Sequence, residues 1–199
     1  MRSTTFTALA TMAVSLSMGL IGVTAAPIVE DDIQTLSARS CANASLARVI
    51  YQGYSSTSAC HVMNFLYAFV HDSTILGPVS TGARWSLQGA TFKAWATQQA
   101  STLPLYRLGT STGSDYIFEL GTVDPMTQVP SPPTVTGFNN NIGLTAWVYG
   151  SATCDSVALL SAAHTTMSDH FYTTDADEHA GLIANGWTDA GVVAYVLPL

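Results

Sequence analysis

Short apolar runs separated by turn-forming residues recur along most of the chain. Three segments share one order, in which an apolar run is followed by a turn rich in Ser, Thr and Gly and then by a second apolar run: Val49–Asn64, Pro104–Glu119 and Ala158–Thr173. Apolar runs of this length, bounded by turn residues, are typical of two β-strands joined as a hairpin. We therefore predict three hairpins.

The hairpins share one spacing, which indicates an internal repeat. Eight residues separate equivalent positions in each, from Gln52 to Cys60, from Arg107 to Asp115 and from Ser161 to Asp169. A further apolar run closes each unit, as in Gly191–Val196. The sequence predicts a β-rich α+β domain of three pseudo-equivalent ββ(α)β units. We predict that the units close around an approximately threefold axis, in a trefoil-like or propeller-like domain, because closure removes exposed sheet edges. A linear array of three units is the alternative.

The third unit also predicts a short helix. Thr174 to Glu178 places acidic side chains where the positive end of a helix favours them, and Gly186 ends the helix after about two further turns. The first two units have longer loops containing Gly and Pro at this point. We expect no helix in those two units.

The N-terminal residues predict export. Residues 1–25 combine Arg2, an apolar run and small residues before Ala25, which is the pattern of a cleaved secretory signal peptide. A membrane anchor is the alternative. An acidic lead-in at 26–40, for which we expect disorder, precedes a single three-repeat domain at 41–199, with units at about 46–100, 101–152 and 155–199. The predicted location is secreted and extracellular.

The charge balance narrows the choice of partners. The chain has 6 basic and 13 acidic side chains, and Lys93 is its only lysine. An acidic surface poor in lysine does not attract a phosphate backbone, so we expect no nucleic-acid partner. No run after the signal peptide is long and apolar enough to span a membrane. The remaining partners are an extracellular glycan or cell-wall polymer, or another secreted protein.

Three cysteines in an oxidising compartment allow one disulfide and leave one thiol. Cys41 and Cys154 each precede the first strand of a unit, in loops that meet if the units close around an axis. We therefore predict a Cys41–Cys154 disulfide with Cys60 free, and a Cys41–Cys60 bond is the alternative. Asn43 begins an Asn-Ala-Ser sequon, which is a glycosylation site in a eukaryotic host.

No group of residues predicts catalysis. Asp169 and His170 are adjacent on a strand, so their side chains point to opposite faces and cannot orient each other directly. Cys60 beside His61 lacks the other signatures of a cysteine hydrolase. Helix capping explains the acids at 175, 177 and 178. The histidines lack the spacing of metal ligands: His61, His164, His170 and His179. We expect no enzyme activity, no metal and no cofactor, and a hydrolase is the less favoured alternative.

The aromatic residues favour a ligand-binding surface. Trp and Tyr flanked by short polar side chains are typical of surfaces that stack on sugar rings and hydrogen-bond their hydroxyls. His170 and Tyr172 share one face of a predicted strand. We predict a ligand site around the third unit, formed by His170, Tyr172, Asp169, Arg107, Tyr116 and Trp147. The alternative is that these side chains build the contacts between units.

Two stretches resemble a known family. LPLYRL at 103–108 and SDHFYTTDADE at 168–178, with the later GW and GVVAYVLP, are similar to a secreted tandem-repeat family of unknown function whose units run LYRLYN…DHFYTT…GY…EGIAGYV. The resemblance spans about residues 41–198 and is most specific in the third unit. Such repeats occur in fungal secreted proteins and as modules on bacterial cell-wall hydrolases, which implies attachment or targeting rather than catalysis.

Two function classes follow from these patterns. The first is a secreted, non-catalytic binding module for carbohydrate or cell-wall polysaccharide. The second is a secreted protein-interaction factor, such as an inhibitor or an effector-like protein.

Overall fold

The computed structural model describes residues 41–71 and 84–199. Eleven strands lie in these ranges: β1 Arg48–Ser55, β2 Cys60–Phe65, β3 Trp85–Ala94, β4 Thr102–Gly109, β5 Tyr116–Leu120, β6 Thr122–Val123, β7 Pro130–Ser131, β8 Asn140–Tyr149, β9 Val157–His164, β10 Asp169–Thr173 and β11 Thr188–Val196. Two α-helices are described, α1 (Leu66–His71) and α2 (Ala176–Ala184), and a single 3₁₀ turn spans Ala44–Leu46.

The strands form three antiparallel sheets, which we call the first, second and small sheets. The first sheet has the order β2-β1-β3, the second has the order β10-β9-β11-β8-β4-β5, and the small sheet pairs β6 with β7. The predicted hairpins are present as β1–β2, β4–β5 and β9–β10. In each, the first strand also pairs on its other side with the long strand that closes the segment.

The predicted closed, threefold arrangement is wrong. The described strands after β3 belong to a six-stranded sheet and a two-stranded sheet, while β1–β3 form a separate sheet. One residue pair, Tyr195 with Tyr149, joins β11 to β8 within the second sheet. Hairpin pairing is local, so the apolar pattern predicts it, whereas the association of hairpins depends on contacts between distant residues that spacing does not encode.

The helices confirm one prediction and correct another. Asp175 caps α2 by accepting the backbone N–H groups of Asp177 and Glu178, and Gly186 follows the helix at φ +93°, as the sequence predicted. The expectation of no helix in the first segment is wrong, because α1 follows β2 directly. Phe69 of α1 is buried against Gly53, where an added Cβ would lie 2.6 Å from the Phe69 ring.

The main core lies between the first and second sheets. The central residues of the three hairpin first strands, Ile50, Leu105 and Leu159, are fully buried in it. Phe92, Ala146 and Ala194 contribute from the closing strands. Burying a large apolar side chain stabilises a fold by about 1.5–3 kcal/mol, so this cluster fixes the two sheets against each other.

A second core cluster is held by the disulfide. Cys41 is bonded to Cys154, as predicted, and Cys60 is a free, buried thiol. Nearby, Trp95, Trp147 and Tyr149 are buried, and the Tyr149 hydroxyl accepts the backbone N–H of Ala42 at 2.9 Å. The start of the described chain is therefore tied to the end of β8.

The signal peptide at 1–25 and the lead-in at 26–40 lie outside the described residues. In the part of the chain that the structure describes, we find no helix with the length and apolar character needed to cross a membrane.

Candidate functional site

A polar groove of about 680 Å³ lies where the first and second sheets meet. One wall comes from the middle of β3, between Gln88 and Thr91. The other wall comes from β10 and the start of α2, between Phe171 and Glu178. Its volume falls in the range of about 300–1,000 Å³ that small-molecule sites occupy.

Gln52 forms the floor of the groove. Its side chain is only 5% exposed, and its Oε1 accepts the backbone N–H of Tyr172 at 3.3 Å. Its Nε2 makes no hydrogen bond within the described residues, and because no buried side-chain nitrogen or oxygen atom there lacks a partner, this Nε2 is open to solvent. Gln52 lines the groove, so this N–H₂ is a donor available to a ligand or to water.

The acidic rim of the groove arises from helix capping. The Thr173 hydroxyl accepts the backbone N–H of Asp175 at 2.9 Å, and Asp175 Oδ1 accepts those of Asp177 and Glu178 at 2.8 and 3.2 Å. His179 anchors the helix, since its Nε2 lies 3.1 Å from the carbonyl oxygen of Ser161. This arrangement leaves Asp175 Oδ2 and the Glu178 carboxylate without a hydrogen bond in the described part of the chain.

One end of the groove is bridged by a hydroxyl. The Thr174 side chain donates to the carbonyl oxygen of Thr91 at 3.4 Å, which connects the start of α2 to β3. Gln88, three residues earlier on β3, is solvent-exposed and presents its amide at the rim. The groove therefore carries amide, hydroxyl and carboxylate groups within one concave surface.

Phe171 separates the groove from a second polar region. Its ring lines the groove and also contacts the His61 ring edge-on, with centroids 5.1 Å apart. On its far side Trp187 lies at 6.2 Å. The half-buried ring is thus held by aromatic contacts while it presents an apolar surface to the groove.

The second region is a closed cluster, called here the Cys60 cluster, made of Cys60, His61, Asp115, Asp169 and His170. Asp169, 3% exposed, accepts the backbone N–H of His61 on Oδ1 and contacts His61 Nδ1 through Oδ2, both at 2.7 Å. The His61 ring is also packed against Tyr54, with centroids 4.8 Å apart. Asp169 therefore holds β2 of the first sheet against β10 of the second.

The other half of the Cys60 cluster pairs His170 with Asp115. His170 Nδ1 lies 3.0 Å from both carboxylate oxygens of Asp115, which joins β10 to the start of β5. Asp169 and His170 do not orient each other, as their adjacency predicted, but each one pairs with a residue from a different hairpin. Burial raises the pKa of the neighbouring Glu119, and the charge of His170 opposes this shift.

The Cys60 thiol is unreactive in this environment. Burial, together with the charges of Asp169 and Asp115, raises the pKa of its thiol to about 12, and the charge of Arg107 opposes this shift in part. A thiol with this pKa stays protonated at neutral pH, whereas the thiolate is the nucleophile. Cys60 is therefore a packed side chain rather than a reactive centre.

The predicted ligand residues fall mostly in the core or in the Cys60 cluster. Tyr172 is 1% exposed, and its hydroxyl accepts the backbone N–H of Phe118 at 3.1 Å. Trp147 is buried in the disulfide-linked cluster. Arg107 lies over the Tyr116 ring at 5.5 Å, and burial raises the pKa of that tyrosine. Only Tyr172 also lines the groove, so the ligand role of this set stays a prediction.

The geometry offers no complete catalytic or metal-binding set among the described residues. Neither His61 nor His170 makes a hydrogen bond through Nε2 to a hydroxyl or thiol there. In the same ranges, no three His, Cys, Asp or Glu side chains converge as ligands for a metal ion.

The groove residues were missed by the sequence reasoning. Gln52 and Thr174 belong to different hairpins, and no local pattern brings them together. Asp175 and Glu178 were assigned to the start of the helix, which is correct, but their position on the groove was not predicted.

These features define a protein built mostly of antiparallel β-sheets, with an open polar groove and a closed polar cluster at one sheet junction. A family model, described as a domain of unknown function (DUF5648), matches residues 49–197, and the chain belongs to this family. No match was found among curated proteins or among solved structures. The resemblance to a family of unknown function is thus confirmed, whereas the repeat motif and the fungal or cell-wall setting stay predictions.

Proposed function

We propose that this protein is a secreted, non-catalytic carbohydrate-binding domain whose ligand occupies the groove. The observation that carries the proposal is the lining of the groove, where Gln52, Gln88 and Thr91 face Phe171 and Thr174. Short polar groups beside an aromatic ring suit a sugar, because the ring faces of sugars are apolar and their edges carry hydroxyls. The resemblance to modules found on cell-wall hydrolases supports the same function.

The secreted setting rests on two observations. Residues 1–25 have the pattern of a signal peptide, and the Cys41–Cys154 disulfide is consistent with an oxidising compartment. Asn43 is exposed, so the proposed glycosylation site is accessible. Its Oδ1 accepts from the Ser45 backbone N–H and hydroxyl, which leaves its amide nitrogen available.

We propose no catalysis because the acidic groups on the groove lie in solvent-exposed positions. Asp175 and Glu178 are the carboxylates on the groove, and both are solvent-exposed at the start of α2. A general acid that works at neutral pH is normally buried against apolar groups. The His–Asp pairs that resemble catalytic dyads connect strands of different hairpins.

A saccharide panel tests the proposal. Wild-type protein is expected to be retained on at least one immobilised neutral or amino-sugar polysaccharide, and Gln88→Ala is expected to weaken that retention while leaving the melting temperature unchanged. Gln98→Ala, at an exposed glutamine outside the groove, is the matched control. Retention on no saccharide, or equal retention of wild type and Gln88→Ala, would contradict the proposal.

A second candidate function rests on an apolar cleft of about 540 Å³ on the first sheet. Tyr67 and Val70 of α1 are 62% and 55% exposed there, and Tyr51 and Arg48 complete the wall. Exposed apolar side chains rimmed by charge are typical of protein contacts, which fits an extracellular interaction factor. A Tyr67→Ser variant that keeps full saccharide retention would separate this cleft from the carbohydrate site.

A further inference from the structure

The groove carries negative charge without a cation. Asp175 and Glu178 are both on its rim, and no lysine, arginine or histidine lines it among the described residues. A uronic acid or a sulfated sugar would therefore meet like charge in this groove. A neutral sugar would leave both carboxylates unused, and a cationic sugar would pair with them.

Two observations besides the acids point to a bound ligand here. Gln52 lines the groove with only 5% of its surface exposed, and its Nε2 is an accessible donor without a hydrogen-bond partner in the described chain. The cavity itself is large enough for a small molecule and lies between two sheets rather than on a convex helix end. The acids are thus part of a concave site with an open donor on its floor.

We propose that the groove binds amino sugars, with the protonated amine of a 2-amino-2-deoxyhexose unit placed between Asp175 and Glu178. This inference rests on the proposed carbohydrate-binding function and names the class of sugar. In this arrangement Asp175 Oδ1 continues to cap α2, while Oδ2 and the Glu178 carboxylate accept hydrogen bonds from the ammonium group. Gln52 Nε2 donates to a hydroxyl or ring oxygen, and the sugar face packs on Phe171.

The net charge of the chain supports this choice. The sequence has a formal net charge of −7, which favours approach of a polycationic polymer and disfavours a polyanionic one. General attraction of this kind would not depend on particular carboxylates. The test must therefore separate a site in the groove from the charge of the whole surface.

The experiment is calorimetric titration of the protein with three oligosaccharides of equal length: a glucosamine oligomer, its N-acetylated form and a galacturonate oligomer. At about pH 5.5 such an amine is protonated. The expected order is tightest binding by the glucosamine oligomer, weaker binding by the N-acetylated form and no detectable binding of the galacturonate oligomer.

The decisive variant is Asp175→Asn with Glu178→Gln. Asn and Gln retain the capping geometry and remove both charges. We expect at least about tenfold weaker binding of the glucosamine oligomer, with unchanged binding of the N-acetylated oligomer and an unchanged melting curve. The matched control, Asp177→Asn with Asp155→Asn, removes the same charge from exposed positions outside the groove and is expected to keep wild-type affinity.

The outcomes distinguish the two proposals. Equal binding of the neutral and amino oligomers, or equal loss of affinity in the groove and control variants, overturns the amino-sugar inference and leaves the carbohydrate-binding proposal standing. Tighter binding of the galacturonate oligomer also overturns the inference. Binding of no saccharide in any form overturns both.

Discussion

The groove and the Cys60 cluster lie at the same sheet junction and use the same kinds of side chain in opposite ways. In the Cys60 cluster, Asp169 is buried and both its oxygens are bonded to His61. In the groove, Asp175 and Glu178 are exposed, and part of their hydrogen-bonding capacity is unused. Residues that resemble a catalytic site are therefore structural here, while residues at the start of a helix face an open groove.

Phe171 is the boundary between the two regions. Its ring contacts His61 in the Cys60 cluster and lines the groove on its other side. Variants on either side of this ring therefore separate a loss of stability from a loss of binding.

The largest expected loss of stability comes from removing the disulfide, which lies outside both the groove and the Cys60 cluster. The Cys41→Ala/Cys154→Ala double variant removes a cross-link between residues 113 apart, and on the chain-entropy model this lowers the free energy of unfolding by about 4–5 kcal/mol. Chemical denaturation of oxidised wild type and the variant measures the loss. An unchanged free energy of unfolding would show that the bond does not constrain the unfolded chain. Saccharide binding by the folded fraction is expected to stay unchanged.

Asp169→Ala is expected to lower the free energy of unfolding by about 3 kcal/mol, because it leaves the buried backbone N–H and Nδ1 of His61 without their acceptor. Urea denaturation measures this change. Asp177→Ala, at an exposed carboxylate in the first turn of α2, is the control and is expected to cost only a few tenths of a kcal/mol. Equal losses in the two variants would contradict the structural role given to the Cys60 cluster.

Asp175→Ala is expected to destabilise the protein by about 1 kcal/mol, since it removes the cap of α2. Asp175→Asn retains the acceptor and is expected to match the stability of wild type. Thermal melts of the two variants, compared at equal concentration, separate capping from charge. If Asp175→Asn were as unstable as Asp175→Ala, the carboxylate charge would be needed for folding. The proposal that an uncharged acceptor is enough to cap α2 would then be wrong.

The smallest expected effect is a change in how the stability of the protein depends on pH. Burial raises the pKa of Glu119 in the folded state, so the folded protein favours its protonated form. That contribution to stability is present below the unfolded pKa and is lost as pH rises through the higher folded pKa. Glu119→Gln is therefore expected to raise the melting temperature at neutral pH, with a gain that shrinks as the pH falls towards about 4. Glu178→Gln, at an exposed site, is the control, and a pH-independent gain in Glu119→Gln would contradict the assignment.

The sequence predicted local structure better than it predicted the site. The α2 helix followed from Asp175, Glu178 and Gly186, which act on neighbouring residues. The disulfide was also correct, although the closed ring used to argue for it is wrong. Trp147 was predicted to form part of a ligand site, but it is buried.

The groove could not be predicted from the sequence, for a physical reason. Alternation along β10 places His170 and Tyr172 on one face, but it does not tell whether that face meets solvent or another sheet. In the structure, Tyr172 meets Phe118 of another hairpin and is buried. Residues from β1 and β3 complete the groove, and only the packing of the two sheets brings them to α2.

The most direct test of the account is an NMR titration of ¹⁵N-labelled protein with the glucosamine oligomer. We expect the largest shifts at the backbone amides of Gln88, Thr174 and Glu178 and at the side-chain amide of Gln52, with little change at His170. Largest shifts at His170 and Tyr116, or at Tyr51 and Tyr67 of the apolar cleft, would contradict the claim that the groove faces the ligand.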